Sequence, residues 1–418
     1  MSRRRAAIVV TGTELVRGDR IDRNGPFLAQ ELHRLGIEPA RVTIVGDVPE
    51  ELDAALREGL AAHLCVVSGG LGPTHDDRTV EALARAAGVA LEVDEALAGE
   101  IEAVSRRTAG RLGRPYEEFE PGVRKQASLP AGGISLGLAG TAPGIALETG
   151  GCVVVVLPGP PSELRRLWAQ ALESEPVRGL FAEVEPPERR ALRFFGVSES
   201  AVARALEEAG GERGGVEATV CARDFEIHVD LVGAGGEALA SELRQRLGEY
   251  LFAADERSVA EIVLDLCRER GLTLGAAESA TGGLIGQMLT AVPGASDVFA
   301  GAVVAYSNGV KRELLGVPED VLEEHGAVSP QVAAAMARGV EKALVADVAV
   351  ADTGIAGPGG GSADKPVGLV YLHALGPDGE IAQDFVARGG REDVRRRAAV
   401  SALHLLRRLL TQTRHASE

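Results

Sequence analysis

The sequence predicts an α/β protein in which two three-layer α/β/α domains are joined by a small α+β domain. Three observations carry this. Short aliphatic runs alternate with amphipathic helical stretches through the first 180 or so residues and again after residue 256, the pattern of strands linked by crossover helices. Between the two lies VEPPERR (184–190), whose prolines and charges mark a boundary, followed by a short mixed segment. The chain has 418 residues, 53 of them glycine, with only 3% aromatics, which implies aliphatic cores and small-residue loops. The expected domains are 1–183, 184–255 and 256–418.

In the first domain, AAIVV (6–10), ARVTIVG (40–46) and HLCVVSGG (63–70) read as strands of a parallel sheet, and NGPFLAQELHRLG (24–36), EELDAALREGL (50–60) and RTVEALARAAG (78–88) as the helices between and after them. Further on, GIALETGGCVVVVLPGPPSELRRLWAQ (144–170) carries a hairpin turn at Thr149-Gly150-Gly151 and a helix opened by Pro160-Pro161. The middle segment gives strand and helix in RFFGVSESAVARALEEAG (193–210), with Ser198 as N-cap, then further strands including FEIHVDLVG (225–233) and a helix in EALASELRQRLGEYLF (237–252). No chemistry-bearing residues cluster there, so it reads as a connector or dimer contact.

The third domain runs helix (258–271), strand (272–276), the turn AESATGG (277–283), helix (284–292), strand (300–307), helices (318–326 and 329–345), strands (347–357 and 368–376) and a last helix rich in Leu and Arg. That order predicts a second three-layer domain.

Apolar residues make up 45% of the chain and charged residues 25%, ordinary for a globular protein. A net charge of −17 opposes binding to nucleic acid, and the short basic run Arg3-Arg4-Arg5 is read as a solvated end. No apolar run reaches the roughly 18 residues of a membrane span, and no signal-like apolar region follows the basic start, so a cytoplasmic location is expected. Cys65, Cys152, Cys221 and Cys267 lack CxxC spacing and read as reduced residues, without disulfide or metal.

The first candidate site is SGGLGPTHDDRT (68–79), between a strand and a helix. Ligands of open parallel sheets bind at such strand ends. Gly69, Gly70 and Gly72 let backbone N–H groups approach an anion, while Asp76 and Asp77 make sense with a bridging divalent cation or as acceptors for ligand donors. A glycine-rich turn with Asp77 capping the next helix fits the same residues, and His75 reads as a solvent-facing loop residue. Similar strand-end loops are TGTELVRGDRIDRN (11–24), IVGDVPEE (44–51), LAGTAPG (138–144) and LPGPPSE (157–163).

In order, GTEL (12–15), VGD (45–47), GGLGPTxDD (69–77), RKQ (124–126), GTAPG (140–144) and LPGPPSE resemble the molybdopterin-binding fold and, more closely, the N-terminal domain of the CinA family. The resemblance implies metal-dependent hydrolysis of the pyrophosphate of ADP-ribose. Phosphates would rest on Gly69, Gly70, Gly72, Thr74, Gly140, Thr141 and Gly159, and a divalent cation on Asp47, Asp76 and Asp77. VRGDRIDRN (16–24) departs from the more apolar LLGxxxNTN-like run expected there, although Asn24 keeps its place.

The second candidate site is AESATGG. Ser279 stands where its hydroxyl and free helix-terminal N–H groups face the same side of the sheet, an arrangement for a nucleophile and its oxyanion; a capped turn fits the stretch as well. VVAYSNGVK (303–311) puts Tyr306, Ser307, Asn308 and Lys311 after a neighbouring strand, where Lys311 is either a base of lowered pKa or a surface lysine opening a helix. DTGIAGPGGGSADKPVG (352–368) is a glycine-rich loop suited to phosphate or ribose, or a mobile hairpin.

The order AESxTGG, VVAYSNxxK, LGV, EEHGAVS, TGIAGPxGG and KPVG resembles the CinA carboxy-terminal domain, whose members deamidate nicotinamide mononucleotide. The resemblance implies Ser279 as nucleophile, Lys311 as general base and Tyr306 as its assistant. It gives the amides of Thr281, Gly282 and Gly283 to the oxyanion, with Asn308, Gly354, Ala356, Gly357 and Gly360 around the nucleotide and no cofactor at this site. Ala280 replaces the family's usual cysteine, and Gly359 its usual aspartate. A homodimer is also implied. The alternatives are a molybdopterin-type binding protein with vestigial hydrolase sites, or a competence-related interaction protein.

Overall fold

The structure is a computed structural model that describes residues 4–182, 184–211 and 215–412. The chain divides into two compact units, Met1–Pro187 and Glu188–Glu418. Connector and C-terminal segments, read separately from the sequence, thus fall within one unit, each with its own sheet.

The first unit runs β1 (Arg5–Thr11), α1 (Thr13–Val16), α2 (Asn24–Arg34), β2 (Glu38–Val45), α3 (Pro49–Gly59), β3 (Leu64–Ser68), α4 (Thr79–Ala87), β4 (Leu91–Val93), α5 (Glu95–Leu112), α6 (Glu120–Gln126), β5 (Ser128–Pro130), β6 (Ile134–Leu138), β7 (Pro143–Thr149), β8 (Cys152–Leu157), α7 (Pro161–Glu173) and α8 (Glu175–Phe181). Its main sheet has the order β2-β1-β3-β8-β7-β6. The first four strands are parallel, but β7 pairs antiparallel with both β8 and β6, so the sheet is mixed rather than wholly parallel. The turn at Gly150 (φ 56°) and Gly151 (φ 81°) is the reason: two left-handed residues between paired Thr149 and Cys152 reverse the chain as a tight hairpin. Alternate residues fill opposite faces. Ile8, Val10, Val66 and Val155 pack with Leu28, Leu32, Leu167 and Trp168, whereas Val9, Val67 and Val154 pack with Leu52, Leu56, Leu83 and Ile101. Such strands, buried on both sides, need continuous aliphatic sequence.

The second unit opens with β9 (Arg189–Phe195), α9 (Glu199–Glu208), β10 (Glu217–Arg223), β11 (Glu226–Val232), α10 (Gly236–Leu247) and β12 (Leu251–Ala253). These form an antiparallel sheet, order β10-β11-β9-β12, whose core joins Leu192, Phe194 and Val229 to Val202 and Leu243 of the helices. Ser198 caps α9 through a 3.2 Å bond from Ala201 N. There follow α11 (Val259–Arg270), β13 (Leu274–Glu278), α12 (Leu284–Thr290), β14 (Phe299–Val304), α13 (Asn308–Leu315), α14 (Glu319–His325), α15 (Pro330–Leu344), β15 (Val348–Gly354), β16 (Leu369–Gly376), β17 (Gly379–Val386) and α16 (Arg391–Gln412).

The C-terminal sheet has the order β14-β13-β15-β16-β17, with β13 parallel to both β14 and β15. One face packs on α11, α12 and α16 through Leu264, Ile285 and Leu403, the other on the helices after β14 through Leu315, Leu322 and Met336. The connections leaving the adjacent strands β13 and β14 therefore part to opposite faces, which opens a crevice at their carboxyl ends. Among the described residues, no helix is long and apolar enough to cross a membrane.

Candidate active site

The crevice is built around the end of β13. Ser279, 8% exposed, follows its last residue, and the chain then turns through Gly282 (φ 59°) and Gly283 (φ 101°) into α12. Lys311 reaches it from the first turns of α13, a helix capped by Ser307, whose Oγ accepts from Val310 N at 3.3 Å. Lys311 Nζ lies 2.9 Å from Ser279 Oγ and 2.7 Å from Ala305 O. The lysine is only 2% exposed, and burial pulls its ammonium below the ordinary value of 10.5, against the opposing pull of Asp352. Among the described residues, no carboxylate lies within ion-pair distance of it.

Two buried acids that the sequence reading did not single out hold the turn from below. Asp352, in β15, accepts from the amides of Ser279 (3.1 Å), Ala280 (2.8 Å) and Thr281 (3.2 Å) and from Thr281 Oγ1. Glu278 accepts from Thr281 Oγ1 (2.8 Å) and from the amides of Gly283 (2.8 Å), Ile285 (3.0 Å) and Gly286 (2.8 Å). Burial pushes the Asp352 carboxyl up to about 6 although the Thr281 and Ser279 bonds pull it down. The oxyanion expectation is corrected accordingly. The amides of Thr281 and Gly283 are already committed to carboxylates, and of the three expected only that of Gly282 meets no acceptor among the described residues.

Tyr306 is also corrected. It is 60% exposed, and its hydroxyl accepts from Arg391 Nη2 at 2.8 Å rather than meeting Lys311. Arg391 Nη1 donates to Gly357 O at 2.9 Å, and Arg395 Nη2 to Thr281 O at 2.9 Å, so the first turns of α16 join the rim. Asn308 is exposed at the start of α13. The loop with Gly354, Ala356, Gly357 and Gly360 is tied at its base: Ile355 N bonds Leu369 O (2.9 Å), Gly368 N bonds Ile355 O (2.8 Å), and a Cβ at Gly354 would stand 2.7 Å from Leu369 O.

In the first unit, Thr11, Glu14, Asp19, Asp22, Asn24, Ser68 and Gly159 line a cleft of about 1390 Å³, open mouth included. Asn24 Nδ2 donates to Ser68 Oγ (2.9 Å) and Gly159 O (2.8 Å), while its Oδ1 is buried without a partner. Gly69 donates to Leu157 O, and Gly70 is pressed against Thr79 so closely that a Cβ would meet Thr79 Oγ1 at 2.1 Å. Gly140 lies against Glu163, whose carboxyl burial raises, and Thr141 follows it in the loop before β7.

The expected cation site is not assembled. Among the described residues, no three His, Cys, Asp or Glu side chains are placed to hold a metal. Asp47 is turned to Thr13, accepting from its amide (3.1 Å) and hydroxyl (2.6 Å). Asp76 and Asp77 are turned to Thr74, Asp76 with its carboxyl lowered by the Thr74 hydroxyl, and Asp77 accepts from Thr74 N (3.0 Å) beside Gly72 instead of capping α4. These three residues satisfy local loop donors, so they do not fit a shared cation.

A family model described as "CinA C-terminal domain" matches residues 256–410, and one described as "Probable molybdopterin binding domain" matches residues 7–176. A CinA-like protein of Mycobacterium tuberculosis is 42% identical over 424 aligned residues, covering 97% of this chain and 97% of its own length. The chain belongs to the CinA family. A CinA-like protein of Mycobacterium leprae is 41% identical, with 98% of each chain covered. Among solved structures, the competence/damage inducible protein CihA from Agrobacterium tumefaciens is 39% identical over 37% of this chain and 97% of its own, with a TM-score of 0.35.

Within this CinA chain the structure brings Ser279 and Lys311 into contact and adds Asp352, Glu278, Arg391 and Arg395. The two acids had a signal: Glu278 ends the aliphatic strand LGAAE and Asp352 follows the aliphatic run VAVA inside β15, where a charge must find donors. The arginines had none beyond lying at the start of the last helix.

Proposed function

We propose that this CinA-family chain is a serine amidase that deamidates nicotinamide mononucleotide to nicotinic acid mononucleotide and ammonia. The 2.9 Å approach of buried Lys311 Nζ to Ser279 Oγ carries the reading. Burial draws Lys311 below its ordinary pKa and so raises its share of neutral amine, the form that accepts the serine proton while one N–H stays on Ala305 O. Ser279 Oγ then attacks the carboxamide carbon, and the carbonyl becomes an oxyanion facing the free Gly282 N–H. The Lys311 ammonium passes its proton to the amide nitrogen, the C–N bond breaks and ammonia leaves. Water, giving a proton to the regenerated amine, attacks the acyl ester and frees nicotinic acid mononucleotide, and Lys311 returns the proton to Ser279.

Arg391 supports the nucleotide end of this substrate. It has no ion-pair partner among the described residues and is fixed by Tyr306 Oη and Gly357 O, leaving its charge for a phosphate. The test is ammonia release from nicotinamide mononucleotide by folded wild type, Ser279→Ala and Lys311→Ala. Each variant should lose about 10³-fold or more in kcat. Wild type without ammonia release rejects the amidase reading, and a fully active variant rejects its residue.

The N-terminal cleft supports a separate binding role for ADP-ribose, whose ribose hydroxyls and adenine amine can donate hydrogen bonds. The buried, unpartnered Asn24 Oδ1 favours a ligand that donates a hydrogen bond there. No hydrolytic step is assigned, because Asp47, Asp76 and Asp77 do not fit a cation site. Titration of the protein with ADP-ribose and with a pterin, both in chelator, decides between nucleotide and molybdopterin-type ligands; binding of neither removes the role.

A further inference from the structure

One hydroxyl and two acids meet beneath the nucleophile. Thr281 Oγ1 is within hydrogen-bond distance of both Glu278 Oε2 and Asp352 Oδ1, yet it carries a single proton. Both carboxyls are fully buried, and neither has a lysine or arginine within ion-pair distance among the described residues. What compensates them is backbone: three amides on Asp352 and three on Glu278. The two acids are therefore not redundant. Glu278 gathers the amides that begin α12, whereas Asp352 gathers those of Ser279 itself and its two successors.

Their electrical positions differ as well. Asp352 is the charged neighbour that favours the ammonium form of Lys311, opposing burial. Glu278 acts on Asp352, raising its proton affinity. The charges on the other elements around Lys311 are unchanged by substitution at Asp352 or Glu278. On α13 itself Arg312 is paired with Glu313 and Glu319, α15 packs through Val332, Met336 and Val340, and on α16 Arg391 and Arg395 are bonded to Tyr306, Gly357 and Thr281.

We infer that Asp352 is the positioning residue of the Ser279–Lys311 pair: its buried carboxylate clamps the nucleophile turn through three consecutive amides and holds a fixed negative charge beneath the site where the lysine ammonium forms. The inference rests on the amidase reading. In the acylation step the proton moves from Ser279 Oγ to Lys311 Nζ, so an ammonium forms in a buried site, and a fixed carboxylate nearby stabilises that charge. The arrangement parallels an acid orienting a catalytic base, with one difference. Here the acid holds the nucleophile's backbone and acts on the base through space. Its own carboxyl, lifted to about 6 by burial, is ionised at neutral pH, where this stabilisation is needed.

The signs follow. The acid limb of the kcat/KM profile reports deprotonation of Lys311 in the free enzyme. Asp352→Asn removes the negative charge that favours the ammonium, so the limb moves to lower pH. Its kcat falls by about 10- to 100-fold, the size typical of groups that orient catalytic or metal ligands from behind. Glu278→Gln alters the same turn with equal burial but has the opposite electrical effect. It relieves Asp352 of a neighbouring charge, keeps it ionised to lower pH, and holds the limb in place or moves it to higher pH.

The experiment is the pH profile of nicotinamide mononucleotide deamidation for wild type and both variants, with folding checked by thermal unfolding. A limb displaced downward in Asp352→Asn but not in Glu278→Gln supports the inference. Loss of kcat with the limb unmoved in Asp352→Asn means a structural role only and overturns it. Should Asp352→Asn fail to fold, Glu278→Gln decides alone: a limb displaced downward overturns the inference, and one unmoved or displaced upward supports it. Wild type without activity removes the amidase reading itself, a different failure from an active wild type whose Asp352→Asn profile does not move.

Discussion

Ser279 and Lys311 stand 32 positions apart in the chain and 2.9 Å apart at their reactive atoms. Tyr306 lies between them in sequence but not in chemistry, since its hydroxyl serves Arg391. Tyr306→Phe removes one hydrogen bond from that guanidinium, a change of about 1 kcal/mol or roughly fivefold. It should raise KM with kcat nearly unchanged, because the bond lies on the substrate side of the site. Steady-state kinetics on nicotinamide mononucleotide check this; a kcat loss near 10²-fold at constant KM would instead restore Tyr306 as the assistant of Lys311. The difference shows how far residues can be read from sequence. Strand-end position and helix start brought Ser279 and Lys311 to one edge, but burial is a property of the packed fold. By composition Lys311 is a surface residue, and only the packing of α13 buries it beside Ser279. Asp352 opened a quoted glycine-rich loop without being assigned a role, since its partners are backbone amides 71 to 73 residues away.

Lys311 keeps its distance from Ser279 because α13 is seated on α15, and the seat is a glycine. A Cβ at Gly339 would stand 2.1 Å from Leu315 O, the last residue of α13, so the helices touch backbone to backbone. Gly339→Ala must push α13 outward. The expected cost is about 1–3 kcal/mol of stability, with kcat reduced because the displaced helix carries the base. Gly309→Ala, on α13 itself, meets nothing closer than 3.8 Å and should be neutral or stabilising by up to about 1 kcal/mol. Thermal unfolding and turnover of the two variants test the seat; equal behaviour would show that α13 is held elsewhere. Helices of this kind were legible from their apolar periodicity, and the β7–β8 hairpin from its paired glycines. By contrast β17 was not read as a strand: its burial alternates between exposed and partly exposed, the mark of an edge strand whose sequence looks polar. The long helix α5 was also left unread, its small and charged residues giving a weak apolar stripe.

At the scale of the molecule, the sequence suggested a cut between connector and C-terminal domain at 255/256, and the structure places both in one unit. Helix α16 is the reason. Its first turns reach the active site through Arg391 and Arg395, and its later turns face the connector. Buried His404 stacks on Phe195 at 3.7 Å, meets Phe252 edge-on at 4.7 Å and approaches Glu226 Oε1 to 2.8 Å, while burial lowers its pKa and keeps the ring neutral. Arg396 pairs with Asp224, and Arg397 lies over the Phe225 ring, at the tip of the β10–β11 hairpin. This cluster leaves no local signature, because its members lie 178 residues apart at Glu226 and His404 and the middle segment alone holds only part of it. A fragment of residues 188–418 retains every contact in this group and the whole of the proposed amidase site, and should fold and turn over nicotinamide mononucleotide within about threefold of the full chain. A fragment of residues 256–418 strips both aromatic rings and the carboxylate from His404. Removing comparable buried rings costs about 3–5 kcal/mol, so this shorter fragment should unfold at markedly lower denaturant concentration. Its α16, still packed on α11, α12 and the C-terminal sheet but without the partners of His404, should also lose activity through Arg391 and Arg395. Equal stability and turnover in the two fragments would mean that the connector only abuts the C-terminal domain, and that the partners of His404 contribute nothing to holding α16.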